Sequence, residues 1–546
     1  MSSIVAPPPE QSVGPVEGEA ENLPTAGERP PEHTPAPRRG LRLAHLWALV
    51  PLAIAWYAHS TDYIEPYDFW WNVKSGEIMK QCGFPDLPNF NCFLATDVLV
   101  WTPVREPYSN PQWGSQLVFF GLYNASPYLL LTARAIIITG ALAVLMLLIY
   151  QKSRSLRMTS LVALLAYFTG WTNYGMRPQL LAFLPFIGFY FLLENKETRW
   201  RSLPLLVPIM LFWVNVHGSF FLGVALLGIY ALGTLLERLP NAAGREWLRS
   251  RAALWQFGWF GAAALATLAN PYGAGIYNYF FVATNDPIAR ALNIEWQAPT
   301  LTDGTGILFF GNVLVFLLSA YLSKRRMRPT EILLVLAFGY LALTSIRNVL
   351  WWGWVTAPII AANFAAFAAN RAARKREAAI GHPETEAESQ RPDVPALNWA
   401  IAVALMAGVL VFTPLWRAHN PLVPRANAGA LSDDTPSKLA VYLESAKLPK
   451  PLFNYMEWGG YLEWILYPEY RMFIDGRFEA RQVQVWKDYL SISRARADWQ
   501  KTLDGYGVKT LVLNKDFHHD LIGFAQLSKD WRKVYEDKLG VVFVRR

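Results

Sequence analysis

The chain alternates between long, near-continuous apolar blocks and short segments rich in Lys and Arg. Apolar blocks without a polar stripe, repeated along a chain, predict membrane-spanning helices. The pattern gives about 11 spans, at roughly 44–58, 128–150, 158–174, 178–194, 203–217, 219–236, 252–270, 305–323, 330–346, 348–369 and 397–415. Residues 1–40 are rich in Pro, Glu, Ala and Gly and predict a disordered cytoplasmic tail. Residues 41–370 form the transmembrane core, 371–396 a charged cytoplasmic linker, and 397–415 the last span. From 416 to 546 the period changes: PLFNY, RMFID, TLVLN and GVVFVRR read as short strands, and YLEWILYPEY and VWKDYLSISRARADWQKTLDGY read as helices. The expected fold class is a polytopic α-helical membrane protein with a small extracytoplasmic C-terminal α/β domain.

Composition strengthens this reading. Of 546 residues, 53% are hydrophobic and 17% charged, against about 25% charged in a typical soluble domain. The formal net charge of +8 resides largely in clusters between apolar blocks, where it orients spans; nucleic-acid binding is discounted. With the N-terminus cytoplasmic, QKSRSLR, ENKETRWR, SKRRMRPT and NRAARKREAA all fall inside, as the positive-inside rule requires. The expected location is the bacterial inner membrane, among membrane lipids, with two long loops, about 59–127 and 271–304, facing outward. The two cysteines, Cys82 and Cys92, share the first of these loops. They are too few for a zinc site. In an oxidising compartment they would pair as a disulfide, and the alternative is two free thiols.

Candidate chemistry clusters at span ends. Asp62, Glu65 and Asp68 follow the first span, where a partly desolvated carboxylate is suited to deprotonate an acceptor; the alternative is three solvated loop anions. FWWNVKSGEIMK is expected to lie flat at the interface, anchored by Trp70 and Trp71. Arg177, His217 and Arg347 each occupy a short outward turn and could hold a phosphate; otherwise the arginines snorkel and the His caps a helix. Asn215 is polar within an apolar block. Glu295 and Trp296 pair a carboxylate with an aromatic face, as sugar sites do, although the tyrosines around them also suit an interfacial belt. Asp475, Gly476 and Arg477 read as a structural turn with an exposed acid–base pair, and His518 and His519 as solvated.

DFWWNVKSGE, NPQWGSQLVFF, MRPQLLAFLPF, WVNVHGSFFLG, NPYG, IEWQAP, FNYMEWGGYLEWILYPEYRMFIDGRFE and YGVKTLVL, in this order over roughly residues 60–515, resemble bacterial membrane proteins of the GT-C glycosyltransferase superfamily. The resemblance implies transfer of a sugar from a polyprenyl-phosphate-linked donor to an acceptor on the extracytoplasmic face. It implies Asp68 as the base, with Asp62 or Glu65 assisting, and Arg177, His217 and Arg347 as phosphate contacts. Some superfamily members use a divalent metal and others do not. The family motif reads D-P-D-x-W-W-H, whereas this chain has E-P-Y-D-F-W-W-N, with longer acid spacing and Asn72 in place of His. Two other classes compete: a transporter or flippase of a lipid-linked saccharide, which calls for mid-membrane polar helices and an inverted repeat, and a non-catalytic envelope-assembly protein.

Overall fold

A computed structural model describes residues 41–65, 67–83, 96–106, 108–379, 394–423 and 429–546. The N-terminal tail, most of the linker and Cys92 lie outside the described residues. Cys82 is disulfide-bonded.

The helices run α1 Leu43–Thr61, α2 Phe69–Gln81, α3 Trp113–Ala125, α4 Pro127–Ser153, α5 Leu156–Thr169, α6 Phe183–Glu194, α7 Leu206–Val216 and α8 Phe220–Arg238. They continue with α9 Ala242–Leu248, α10 Arg251–Ala266, α11 Gly275–Thr284, α12 Pro287–Leu292, α13 Gly304–Ser323, α14 Pro329–Thr344, α15 Val349–Ala379 and α16 Pro395–Val411. In the C-terminal part follow β1 Leu452–Asn454, β2 Thr510–Asn514, β3 Trp531–Glu536 and β4 Gly540–Arg545, with α17 Ser437–Ala446, α18 Met456–Leu466, α19 Val483–Ser493, α20 Trp499–Gly505 and α21 His519–Leu527.

Each expected span falls on a helix. Among the described residues, four segments, Pro127–Ser153, Phe220–Arg238, Gly304–Ser323 and Ile346–Glu377, are long and apolar enough to cross a membrane. Leu156–Thr169, Pro178–Glu194, Trp200–Val216, Pro329–Thr344 and Pro395–Val411 are apolar but shorter. The chain is therefore a membrane protein, with a span number not fixed by helix length alone.

Helix starts follow local chemistry. Ser126 caps α4 by accepting from the Tyr128 amide, with Pro127 at the first helical position. Asp303 caps α13 through the Gly306 amide. Polar side chains inside the bundle satisfy one another, as an apolar surround demands. The Asn312 amide donates to Thr169 at 3.0 Å and accepts from Trp352 at 3.0 Å.

One end of the bundle is laced by ion pairs. Glu194 accepts from Lys152 at 2.7 Å, Arg328 at 3.0 Å and the Tyr230 hydroxyl at 2.7 Å, and Arg238 meets Glu197 at 3.1 Å. These are the basic segments that the sequence assigns to the inside. The turns carrying Arg177, His217 and Arg347 join the opposite ends of the same helices.

The C-terminal sheet has the order β1-β2-β4-β3, with β1 parallel to β2 and the other pairs antiparallel. RMFID is not one of its strands. Met472 instead bridges Val100 of the first loop, with Trp101 N donating to Met472 O at 3.1 Å and Met472 N to Leu99 O at 3.1 Å. Further bridges join Ile64 to Leu431 and Val104 to Arg481. First loop and C-terminal part thus pack as one head.

This corrects the expected surface helix. In α2, residues 69–76 are all buried, between α3 and α18. Trp70 meets Tyr123 and Tyr461 edge-on, with ring centroids 5.3 and 5.0 Å away. At Gly76 a Cβ would overlap the Gln116 carbonyl, so glycine permits the α2–α3 approach.

Candidate active-site cavity

Asp68, Arg177, His217, Glu295, Trp296 and Arg347 line one cavity of about 440 Å³, at the end of the bundle covered by the head. Its walls come from stretches of chain scattered between residues 68 and 478.

Asp68 sits at the start of α2, whose N-cap it forms without a side-chain cap bond. Its backbone carbonyl accepts from Asn72 Nδ2 at 2.7 Å, so Asn72 steadies the turn that carries the acid. Arg177 precedes Pro178 and is extended, the conformation that a following proline favours. This places its guanidinium between two carboxylates. Arg177 is ion-paired with Glu295, and its Nε lies 3.7 Å from Asp68 Oδ2.

Glu295 is held by its neighbours. Asn293 Oδ1 accepts from the Glu295 amide at 2.9 Å, Ser345 Oγ donates to the Glu295 carbonyl at 2.7 Å, and Ile346 N donates to Gln297 O at 2.9 Å. The loop before α13 is thereby clamped to the turn before α15. That clamp sets the Arg347 guanidinium 4.5 Å from the centre of the Trp296 ring, a cation–π contact. Burial works against a charged Glu295, but Arg177 and then Arg347 overcome it and hold its carboxyl below the usual range.

His217 ends α7. Its Nδ1 accepts from Ser219 N at 3.0 Å and lies 2.8 Å from Ser219 Oγ. The bond from Ser219 N makes Nδ1 an acceptor and leaves the proton of the neutral ring on Nε2, as a donor. The cavity's apolar flank comes from Phe221, Leu222 and Ala225 of α8, Phe280 of α11 and Leu341 of α14.

The head closes the cavity with Gly476, Arg477 and Phe478, which the sequence did not single out for the site. The predicted exposed acid–base turn is buried instead: Asp475 is fully buried and Arg477 is 4% exposed. Arg477 pairs with Asp475 and, at 3.1 Å, with Asp97, while Arg481 pairs with both acids. Arg477 also lies 5.1 Å from the centre of the Trp71 ring. A Cβ at Gly476 would collide with the Asp68 carboxylate. The only sequence signal for this wall was an Asp-Gly-Arg turn after an apolar run.

Other candidates lie elsewhere. Asn215 is not among the lining residues: it accepts from Trp113 Nε1 at 3.1 Å and donates to Leu211 O and Ala269 O. Asp62 and Glu65 line a second, larger cavity of about 930 Å³ between α1, α16 and the turn after α5. Asp62 pairs there with Arg134 at 3.0 Å. Burial first, then the Asp62 and Asp434 carboxylates, push the Glu65 carboxyl up. His518 is fully buried beside Ser493, contrary to the expected solvated pair, whereas His519 is exposed.

Among the described residues no three His, Cys, Asp or Glu side chains form a metal-holding group. Asp68 and Glu295 are already bridged by Arg177. A divalent ion between them would have to displace that guanidinium.

No protein-family model matches the chain, and no curated protein matches it. Among solved structures it is similar to the oligosaccharyltransferase AglB of the archaeon Archaeoglobus fulgidus, in complex with an inhibitory peptide and a dolichol-phosphate. The TM-score is 0.52 and the identity 13%, covering 91% of this chain and 74% of that one. An apo oligosaccharyltransferase of the same organism gives a TM-score of 0.49 and 15% identity, over 86% and 70% of the two chains. At these identities the likeness is one of fold. The chain has the fold of that archaeal oligosaccharyltransferase.

Proposed function

We propose that this protein is a membrane glycosyltransferase that moves a sugar from a polyprenyl-phosphate-linked donor to an acceptor at the extracytoplasmic face. One observation carries the reading: two carboxylates, three guanidinium groups and a histidine converge on a single cavity with an apolar flank. The dolichol-phosphate bound by the fold neighbour is a carrier lipid of the kind that such donors are built on. Segregation of the basic clusters to the other end of the bundle supports the outward facing of this end, with the N-terminus cytoplasmic and about 11 spans.

In this reading Asp68 takes the proton of the acceptor nucleophile as it attacks the anomeric carbon. The bond from that carbon to the phosphate oxygen breaks, and the phosphate leaves with its charge held by Arg177 and Arg347. His217 donates Nε2–H to the same oxygens. Glu295 and Trp296 flank the sugar, the carboxylate accepting from hydroxyls and the indole offering an apolar face. The chemistry lies at one end of the bundle rather than at mid-membrane, which disfavours a transporter.

The test is Asp68→Asn in the full chain, reconstituted with a polyprenyl-phosphate-linked sugar. Transfer should fall by about 10²–10⁴, while polyprenyl phosphate still binds. Transfer at the wild-type rate would remove Asp68 as base.

A further inference from the structure

The second cavity is unlike the first. At about 930 Å³ it is roughly twice as large, and its length runs between α1 and α16 rather than under the head. Ala53 and Tyr57 of α1 face Ala404 and Gly408 of α16, and Phe412 just past its end, along it. Its upper end carries Asp62, Glu65 and Arg134 among the rings of Trp171 and Tyr174.

We propose that this groove seats the acceptor substrate, as a hydroxyl-bearing headgroup on a hydrocarbon tail. The inference rests on the transferase reading above and adds the class of acceptor to it. The two cavities divide charge between them. The first is lined by Arg177, Arg347 and Arg477 against Asp68 and Glu295, whereas the groove has Asp62 and Glu65 against Arg134 alone. Arg134 is already engaged, by Asp62 at 3.0 Å and by the His59 carbonyl at 3.1 Å. A phosphate in the groove would meet two carboxylates and one guanidinium already paired with Asp62. A neutral headgroup suits it: carboxylates accept from hydroxyls, and the aromatic rings offer faces for stacking.

The lower groove suits a tail. Its walls are apolar side chains of two helices, and the outer face of α16, with Val403 at 62% exposure, also presents hydrocarbon. Gly408 leaves room there, because a Cβ at this position meets no atom within 4 Å. The two cavities share a wall. Gly175 and Met176 line the groove while Arg177 lines the first cavity, and Glu65 faces one side while Asp68 faces the other. The headgroup end of the groove is therefore the end that adjoins Asp68 and Arg177, and its hydrocarbon end lies away from them between α1 and α16.

The test is photolabelling of the full chain in phosphatidylcholine nanodiscs with an alkyl glucoside bearing a diazirine in its tail. Labels should map to peptides spanning 53–58 and 404–412. Unlabelled alkyl glucoside should compete, whereas a methyl-capped tail without hydroxyls and polyprenyl phosphate should not. Gly408→Trp should weaken labelling by about tenfold or more, and Val403→Trp, on the outer face of the same helix, should not. Competition by polyprenyl phosphate would reassign the groove to the donor, and equal competition by the hydroxyl-free tail would reduce it to a lipid seat. Labelling elsewhere would also overturn the inference. The competition arms use the wild-type chain and need no turnover. Absence of sugar transfer by the wild-type chain in the reconstituted assay would sink the transferase reading separately.

Discussion

Arg177 Nε lies 3.7 Å from the Asp68 carboxylate, while the same guanidinium is ion-paired with Glu295. One side chain thus spans two acids from loops more than a hundred residues apart. A planar fork can hold both and still present a fixed N–H edge to a third anion, whereas an ammonium offers no rigid, parallel pair of donors. Arg177→Lys should therefore lower kcat/KM for a polyprenyl-phosphate-linked donor by about 10–100-fold, the equivalent of one or two strong charge-assisted hydrogen bonds. Steady-state kinetics in nanodiscs checks this, and a lysine variant with wild-type kcat/KM would show that the fork is dispensable.

Gly476 makes a second, steric prediction. The head brings its backbone so close to Asp68 that a single methyl group would strike the carboxylate. Gly476→Ala should reduce transfer by about tenfold or more through displacement of the acid, with far-UV circular dichroism unchanged. Gly505→Ala, where a Cβ meets nothing within 4 Å, is the matched control. Equal activity in the two variants would mean that Asp68 tolerates displacement.

The contrast between Arg177 and Gly476 shows what the sequence could carry. Arg177, His217 and Arg347 were legible because a short turn between two apolar blocks has only one place to go, the end of the bundle. Asp68 was legible for the same reason, one loop after α1. Gly476 and Arg477 were not, since their place depends on Met472 pairing with Val100, a register between segments far apart in the chain that no local period encodes. The separation of Asp62 and Glu65 from Asp68 was hidden too: the stretch is too short for periodicity to say which way each acid turns. The burial of α2 was misread because its mixed composition suits either an interface or a packed head. What buries it is α18, from the other end of the chain.

Asn215 supplies a prediction that separates structure from chemistry. All its hydrogen bonds go to protein groups, tying α7 to Trp113 and to the Ala269 carbonyl. Asn215→Ala should destabilise the protein by about 1–3 kcal/mol by leaving those groups unpartnered, and leave KM for donor and acceptor unchanged. Thermal unfolding in detergent measures the first and kinetics the second. A selective rise in donor KM without loss of stability would restore Asn215 to the binding site.

Glu463 makes a pH prediction within the head. It is fully buried, with the Asp475 carboxylate beside it and Arg477 4.0 Å away. Burial, and then the Asp475 carboxylate, push its carboxyl well above the ordinary value of 4.5, so the folded state keeps the proton. The sign follows from linkage. A carboxyl that favours its proton when folded stabilises the fold fully below pH 4.5, and that contribution is lost as pH rises towards the folded-state value. Glu463→Gln mimics the protonated form at every pH. The variant should therefore unfold a few degrees higher than the wild type at pH 8, with the gap narrowing as pH falls towards 5, where both side chains are neutral in the fold. Melting curves of the two proteins across that range decide it. A variant less stable at pH 8 would mean that Glu463 is ionised in the fold and belongs to the Asp97–Asp475–Arg477–Arg481 ion cluster rather than standing beside it as a neutral acid.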